Sequence, residues 1–140
     1  AQLLVNTVSS ISKGENPSIT QLASNHDLKE APKIFKETCR IDWSKDCTEV
    51  HNLIRGLSPY PAAYTAITDG QQELLLKIFR TGLNYGGANR PGTFETDGQG
   101  LFICCGNGRL RIDELQLAGK RRMKASEFLL GFDTTDWKAL

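Results

Sequence analysis

Leu101-Phe102-Ile103-Cys104-Cys105-Gly106-Asn107-Gly108-Arg109-Leu110-Arg111-Ile112-Asp113-Glu114-Leu115-Gln116-Leu117 reads as two strands joined by a tight turn. The apolar run 101–105 leads into Asn107-Gly108, a pair suited to a type I′ hairpin because both central residues need positive φ. Beyond it Arg109 and Arg111 alternate with Leu110 and Ile112. Both guanidiniums therefore emerge from one outer face while the aliphatic pair faces inward. Leu115 and Leu117 have the opposite parity. A bulge near Asp113 and Glu114 would return them to the core side, as happens where a sheet curls.

Working outward, strand-like runs occur at 63–68, 73–81 and 92–96, separated by Asp69-Gly70, a Gly-rich loop at 84–92, and Asp97-Gly98. Five short strands joined by turns predict a mainly β fold with flanking helices, a small five-stranded OB-like, Greek-key barrel. A helical and extended linker precedes it. The leading helix is expected over 44–57, with Ser44 as N-cap, Asp46 in the first turn, and Cys47, Val50, Ile54 and Leu57 as its apolar stripe. Gly56 is expected to stop it, and Ser58-Pro59-Tyr60-Pro61 prevents continuation. Residues 33–43 read as extended, with Ile34, Phe35, Ile41 and Trp43 as apolar contacts. Leu4, Val8 and Ile11 recur at helical spacing in 2–13, and Gly14 suits the end of that helix. Residues 15–32 lack periodicity and read as loop. A short final helix is expected at 126–130, closed by Gly131. The organisation predicted is a helix within 1–14, a linker over 15–43, and the barrel with its leading helix over 44–140.

The 140 residues include 17 Lys and Arg against 16 Asp and Glu, with 39% hydrophobic and 24% charged residues, ordinary values for a globular chain. A chain of this length buries roughly two-thirds of its unfolded surface, enough for a core without staples. No apolar run approaches the roughly 18 residues needed to cross a bilayer. AQLLVNTVSS has no basic region of a signal peptide and no initiator Met, so a cut inside a larger chain is expected. The near-neutral balance hides an uneven distribution. Residues 101–124 carry Arg109, Arg111, Lys120, Arg121, Arg122 and Lys124 against Asp113 and Glu114 alone. Such a patch can hold a phosphate backbone, and these six cations are the candidate nucleic-acid-binding residues. The plainer reading is a solvated surface of ordinary cations.

Catalytic signatures are missing from the pattern: there is no Gly-x-Ser-x-Gly, no phosphate loop, no His-Glu-x-x-His, and only two histidines. No catalytic residue, metal ligand or bound cofactor is assigned. Asp113 and Glu114 are adjacent and, on a regular strand, would point opposite ways. Cys47 and His51 have helical ligand spacing, but a small buried residue beside a half-exposed imidazole explains them better. The adjacent Cys104 and Cys105 face opposite sides, so the four cysteines read as free thiols of a reducing compartment. The stretch 84–90, Asn-Tyr-Gly-Gly-Ala-Asn-Arg, is not followed by a helical pattern, so it reads as a loop rather than a phosphate cradle.

Three stretches together resemble the C-terminal half of methionyl-tRNA formyltransferases. They are Ala31-Pro32-Lys33-Ile34 with Ile41-Asp42-Trp43; Asn52-Leu53-Ile54-Arg55-Gly56-Leu57-Ser58-Pro59-Tyr60-Pro61 with Ala63; and Glu114-Leu115-Gln116-Leu117-Ala118-Gly119-Lys120-Arg121-Arg122-Met123 with Phe128-Leu129 and Gly131. The resemblance implies an OB-like domain that helps hold initiator methionyl-tRNA. It implies too a catalytic domain elsewhere that takes the formyl group from 10-formyltetrahydrofolate, the co-substrate of the whole enzyme. The family's catalytic Asn, His and Asp have no counterpart here, so this chain is expected to be inactive alone, a cytoplasmic monomer with no membrane contact. Residues 1–14 resemble the last helix of that catalytic domain. The accessory domain of a sugar-nucleotide formyltransferase, without tRNA binding, is the alternative. The run Lys120-Arg121-Arg122 has its own alternative, a structural turn, since Gln116 and Met123 beside it look like packing residues.

Overall fold

The computed structural model describes residues 2–15, 31–84, 86, 90–98 and 100–140. Most of the loop expected at 15–32, His26 within it, and much of the 84–92 loop lie outside these residues. The chain divides into two units at Pro32. In the first, α1 spans Gln2–Ser12, and Gly14, at φ +74°, ends it as expected. The Gly14 and Glu15 N–H groups bond back to the Ile11 and Ser10 carbonyls.

The second unit, Lys33–Leu140, contains the barrel. The leading helix α2 is Cys47–Leu57, and its N-cap is Asp46, whose carboxylate accepts from the Glu49 N–H. Ser44 is not the cap: its N–H and hydroxyl both donate to Asp42 Oδ1 in a turn before the helix. The carboxylate directly before the first helical residue takes the free N–H instead of the serine two residues earlier. The expected stripe Cys47, Val50, Ile54 and Leu57 is buried, each large member contributing roughly 1.5–3 kcal/mol through removal from water. Gly56 lies inside the last turn rather than ending it; Ser58 is the C-cap, and the Pro59 and Pro61 peptides are cis.

Residues 33–43 are less extended than expected. A single 3₁₀ turn, Glu37–Cys39, interrupts them, and Ile34 and Phe35 are exposed while Cys39, Ile41 and Trp43 are buried. The Ile41 N–H bonds to the Tyr64 carbonyl, and Trp43 Nε1 donates to the buried Thr65 hydroxyl. This segment is therefore packed onto the barrel from Cys39 onward.

The strands are β1 (Ala63–Thr68), β2 (Glu73–Asn84), β3 (Phe94–Thr96), β4 (Leu101–Cys105), β5 (Gly108–Leu117), β6 (Met123–Lys124) and β7 (Lys138–Ala139), with α3 (Ala125–Leu129) between the last two. All paired strands are antiparallel, in the order β3-β4-β5-β2-β1-β7, with β6 on β5. Since β3, β4 and β5 follow one another and β2 lies beside β5, the expected Greek key is present. A bridge between Thr93 and Lys138 joins the two ends of the order and closes the barrel. At the same seam the Ala139 N–H donates to the Gly92 carbonyl, while on the other side of β7 the Leu140 N–H donates to the Ala66 carbonyl of β1.

The bulge expected near Asp113 is there. Pairing runs Ile78 to Leu115, then Arg80 to Glu114, then Thr81 to Ile112, so Phe79 and Asp113 have no cross-strand partner. Leu110, Ile112, Leu115 and Leu117 are all buried despite their change of parity. The β4–β5 turn differs from expectation by one residue. Cys105 pairs with Gly108, so Gly106-Asn107 forms the loop, and neither residue has positive φ. Gly106 is needed for close approach instead: a Cβ there would lie 2.3 Å from the Ser44 carbonyl oxygen. Its N–H bonds Lys45, and the Asn107 side chain accepts from the Cys47 N–H, tying the turn to the start of α2. The two-residue strands β6 and β7 were not foreseen, being too short to show any period.

Gly92 combines φ +83° with a would-be Cβ only 2.3 Å from the Ala139 oxygen, whereas nothing lies within 4 Å at Gly56. Gly92→Ala is expected to lower unfolding stability by about 2–4 kcal/mol in urea melts, through backbone strain and the broken seam. Gly56→Ala is expected to raise it by about 0.5–1 kcal/mol, by helix propensity alone.

Candidate nucleic-acid interface

The bulge determines what the outer face of β5 carries. Because Ile112 and Leu115 both turn inward, Asp113 and Glu114 both lie on the solvent side, which corrects the expectation that they point opposite ways. Each carboxylate holds cations. Asp113 accepts from Arg111 Nε at 2.8 Å and lies 3.8 Å from Arg80 Nε; Glu114 binds Arg122 through both Nε and a terminal nitrogen. Glu127 of α3 holds Arg121 at 2.8 Å.

The six candidate cations thus divide by what they already do. Arg109 is built into the surface: its guanidinium contacts Glu95 at 2.8 Å and Asp97 at 3.4 Å and lies 4.0 Å above the Phe102 ring. Only 20% of its side chain is exposed. Arg122 stacks 4.3 Å over Phe79, the bulged residue of β2, and shields it from water while keeping an exposed edge. Arg111 lies over the backbone at Gly82, where a Cβ would come within 2.9 Å of a terminal nitrogen. Arg121 is largely exposed. Lys120 and Lys124 are exposed and make no ion pair among the described residues. The turn that carries Lys120 is held by its own hydrogen bonds, Lys120 N–H to Leu117 and Gln116 Nε2 to the Lys120 carbonyl. Met123 packs against the core. Met123 is therefore the packing residue expected, whereas Gln116 braces the turn by a hydrogen bond; both are features that the structural-turn reading of Lys120-Arg121-Arg122 expects.

Arg80 and Lys77, on β2, belong to the same face and were missed by sequence reasoning. Arg80 pairs with Glu114 and Lys77 with Gln116 across the ladder. The charge balance of 73–100 concealed them; reading the bulge onto the partner strand would have found Arg80. Between this face and the segment 129–135 runs an open groove of about 1120 Å³, lined by Arg80, Arg111 and Lys124 with Asp113, Glu114, Leu130 and Phe132. Phe132 stacks between Phe128 and Trp137, with ring centroids 4.5 and 4.9 Å away, which fixes the groove's far wall.

The other sequence candidates are structural. His51 Nδ1 and the Thr81 hydroxyl share a hydrogen bond of 2.8 Å that ties α2 to β2. Cys47 and Cys105 are buried side by side, and burial pushes both thiols up from their ordinary range. Cys104 faces the other way, toward Glu95. Among the described residues no group of three or more His, Cys, Asp and Glu side chains could hold a metal, and no helix is long and apolar enough to cross a membrane.

A family model described as the C-terminal domain of formyl transferases matches residues 33–133, the barrel and its leading segment. The chain belongs to that family. It is 41% identical over 140 residues to a methionyl-tRNA formyltransferase of Bacteroides fragilis, covering 96% of this chain and 43% of the relative. Enzymes of the same name from Porphyromonas gingivalis and Flavobacterium johnsoniae are 42% and 38% identical over 138 and 134 residues, covering 94% and 95% of this chain and 43% and 42% of theirs. The chain thus spans less than half the length of these relatives. A HypX variant of Aquifex aeolicus shares the fold, with a TM-score of 0.62 and 16% identity over 94% of this chain and 24% of that one. The formyl transferase domain is thus a barrel whose cations are concentrated around β5 and the β5–β6 turn.

Two predictions follow from this geometry. Arg109→Ala is expected to cost about 1–3 kcal/mol of stability, because it removes a half-buried ion pair and a ring contact, whereas Lys120→Ala stays within about 0.5 kcal/mol; urea melts compare them. The raised thiols of Cys47 and Cys105 keep their protons in the folded state at pH values where the unfolded chain loses them. Stability therefore falls as pH rises above about 8.5, where the unfolded thiols ionise, and this part of the fall is absent from Cys47→Ala/Cys105→Ala.

Proposed function

We propose that this chain is the C-terminal portion of a methionyl-tRNA formyltransferase and that it holds the initiator methionyl-tRNA during formyl transfer. The observation that carries the reading is the concentration of Arg111, Lys120, Arg121, Arg122 and Lys124 on β5, β6 and the turn between them in a family barrel. That turn is held by the Lys120 N–H to Leu117 bond and the Gln116 side chain. Small-molecule chemistry needs a concave site with convergent groups, whereas a polyanion needs a broad cationic face. The second arrangement is what β5, β6 and their turn supply. In this reading Arg109 acts as the buried anchor of the candidate set, fixing the surface on which the other cations stand.

The transferred group comes from 10-formyltetrahydrofolate, bound with the catalytic residues by the part of the protein that precedes the barrel. The chain itself takes no cofactor, is inactive alone, acts as a monomer in the cytoplasm, and has the catalytic domain as its partner in cis. Residues 1–14 belong to the end of that domain and 15–43 to the connector.

Surface arginines already paired with carboxylates remain able to bind phosphate. An exposed ion pair contributes only about 0–1 kcal/mol, and an arginine has five N–H donors, so one carboxylate leaves several unused. Each neutralised phosphate releases counterions and makes affinity fall with salt.

Titrating the chain with an initiator tRNA transcript across salt concentrations tests this. Binding at low salt is expected, with a slope that Lys120→Ala/Arg121→Ala/Lys124→Ala reduces by about 2, roughly 0.7–0.9 for each lost contact. An unchanged slope in a folded variant contradicts the assignment of these side chains.

A further inference from the structure

We propose that Arg80 and Arg111, bracketing Asp113, form a phosphodiester subsite at the mouth of the groove beside β5, with Asp113 acting as a carboxylate that positions the pair and restrains its affinity. The inference rests on the RNA-binding reading and extends it to a residue and a groove outside the cationic segment.

Three observations meet here. Arg80 is the most exposed member of the arrangement, with 72% of its side chain in solvent, and its guanidinium approaches Asp113 only to 3.8 Å. Arg111 commits Nε to Asp113 and rests on the Gly82 backbone, which leaves its two terminal nitrogens for another acceptor. The bulge leaves Asp113 without a cross-strand partner, so its carboxylate faces both arginines from one strand. The groove as a whole is balanced, with Arg80, Arg111 and Lys124 against Asp113, Glu114 and Asp133, but Glu114 is held by Arg122. The excess of positive charge is local to the two arginines on Asp113, whose planar forks suit the paired oxygens of a phosphodiester.

The groove continues past this pair to Lys124, then along Leu130, which is 89% exposed, and Phe132. A phosphate on the arginines places the attached nucleoside along that apolar wall. Ring and aliphatic contacts there are tolerant of base identity. The groove includes Lys124, at the end of β6, so a chain that meets Lys124 from the β5–β6 turn enters it there.

Binding of the 140-residue chain to an initiator tRNA transcript, measured across salt, tests the subsite. Arg80→Gln is expected to weaken binding three- to tenfold and to reduce the salt slope by about 0.7–0.9, while Arg80→Lys keeps the slope. Asp113→Asn, which preserves an acceptor for Arg111, is expected to tighten binding several-fold. That gain disappears in Arg80→Gln/Arg111→Gln. Urea melts confirm that each variant is folded. Should Arg80→Gln leave affinity and slope at wild-type values where Lys120→Ala/Arg121→Ala lowers them, the groove lies off the RNA track and the subsite is wrong while the broader reading stands. Weaker binding by folded Asp113→Asn also overturns it. A wild-type chain that binds no RNA even at low salt overturns both.

Discussion

The unpaired residues Phe79 and Asp113 set the constraint on which this barrel depends. Regular alternation would put Leu110 and Ile112 on one face and Leu115 and Leu117 on the other. One half of β5 would then expose its aliphatic side chains. Skipping one residue on each strand turns all four into the core and adds the local twist that lets a short sheet close on itself. The cost is an aromatic ring, Phe79, left on the outside. Arg122 covers it, and Glu114 holds Arg122 in place. Packing and surface charge are therefore one problem at this point, solved by the same few residues.

The cations divide accordingly. Arg109 and Arg122 do structural work that neutral residues of similar shape would do less well, since each combines an ion pair with a ring face. Lys120 and Lys124 have no such role among the described residues. An ammonium with no local ion pair gives up no existing contact when it reaches for a phosphate, whereas a guanidinium held by a carboxylate and a ring must share or break those contacts. The cations with the least structural commitment are therefore in the turn and its flanks rather than spread evenly over the six.

Much of this was legible in the sequence. The boundaries of β1 and β4, the stripe of α2, and the bulge in β5 all follow from period and parity, because each is set by a core on one side. What eluded such reasoning depends on contacts between distant segments. Ser44 has the chemistry of a cap, but Asp42 captures it. Asn107-Gly108 has the chemistry of a type I′ turn, yet Gly106 is the residue pressed against Ser44, so the loop shifts to accommodate α2. The closing strand β7 is two residues long and is held by Gly92 and Thr93 from far along the chain. The candidate cations of the 101–124 segment were visible as a charge excess. Arg80 was hidden in a neutral stretch, since its neighbours in space come from β5 rather than from its own strand.

Mapping amide chemical shifts of the 140-residue chain on addition of an initiator tRNA transcript at low salt tests most directly whether this face meets RNA. The expected result is shifts at Arg80, Arg111, Lys120 to Lys124 and Leu130 that fade as salt rises, with α2 and the Ser58-Pro59-Tyr60-Pro61 segment undisturbed. Shifts centred on α2 or on Tyr60, with the β5–β6 turn unchanged, would contradict it.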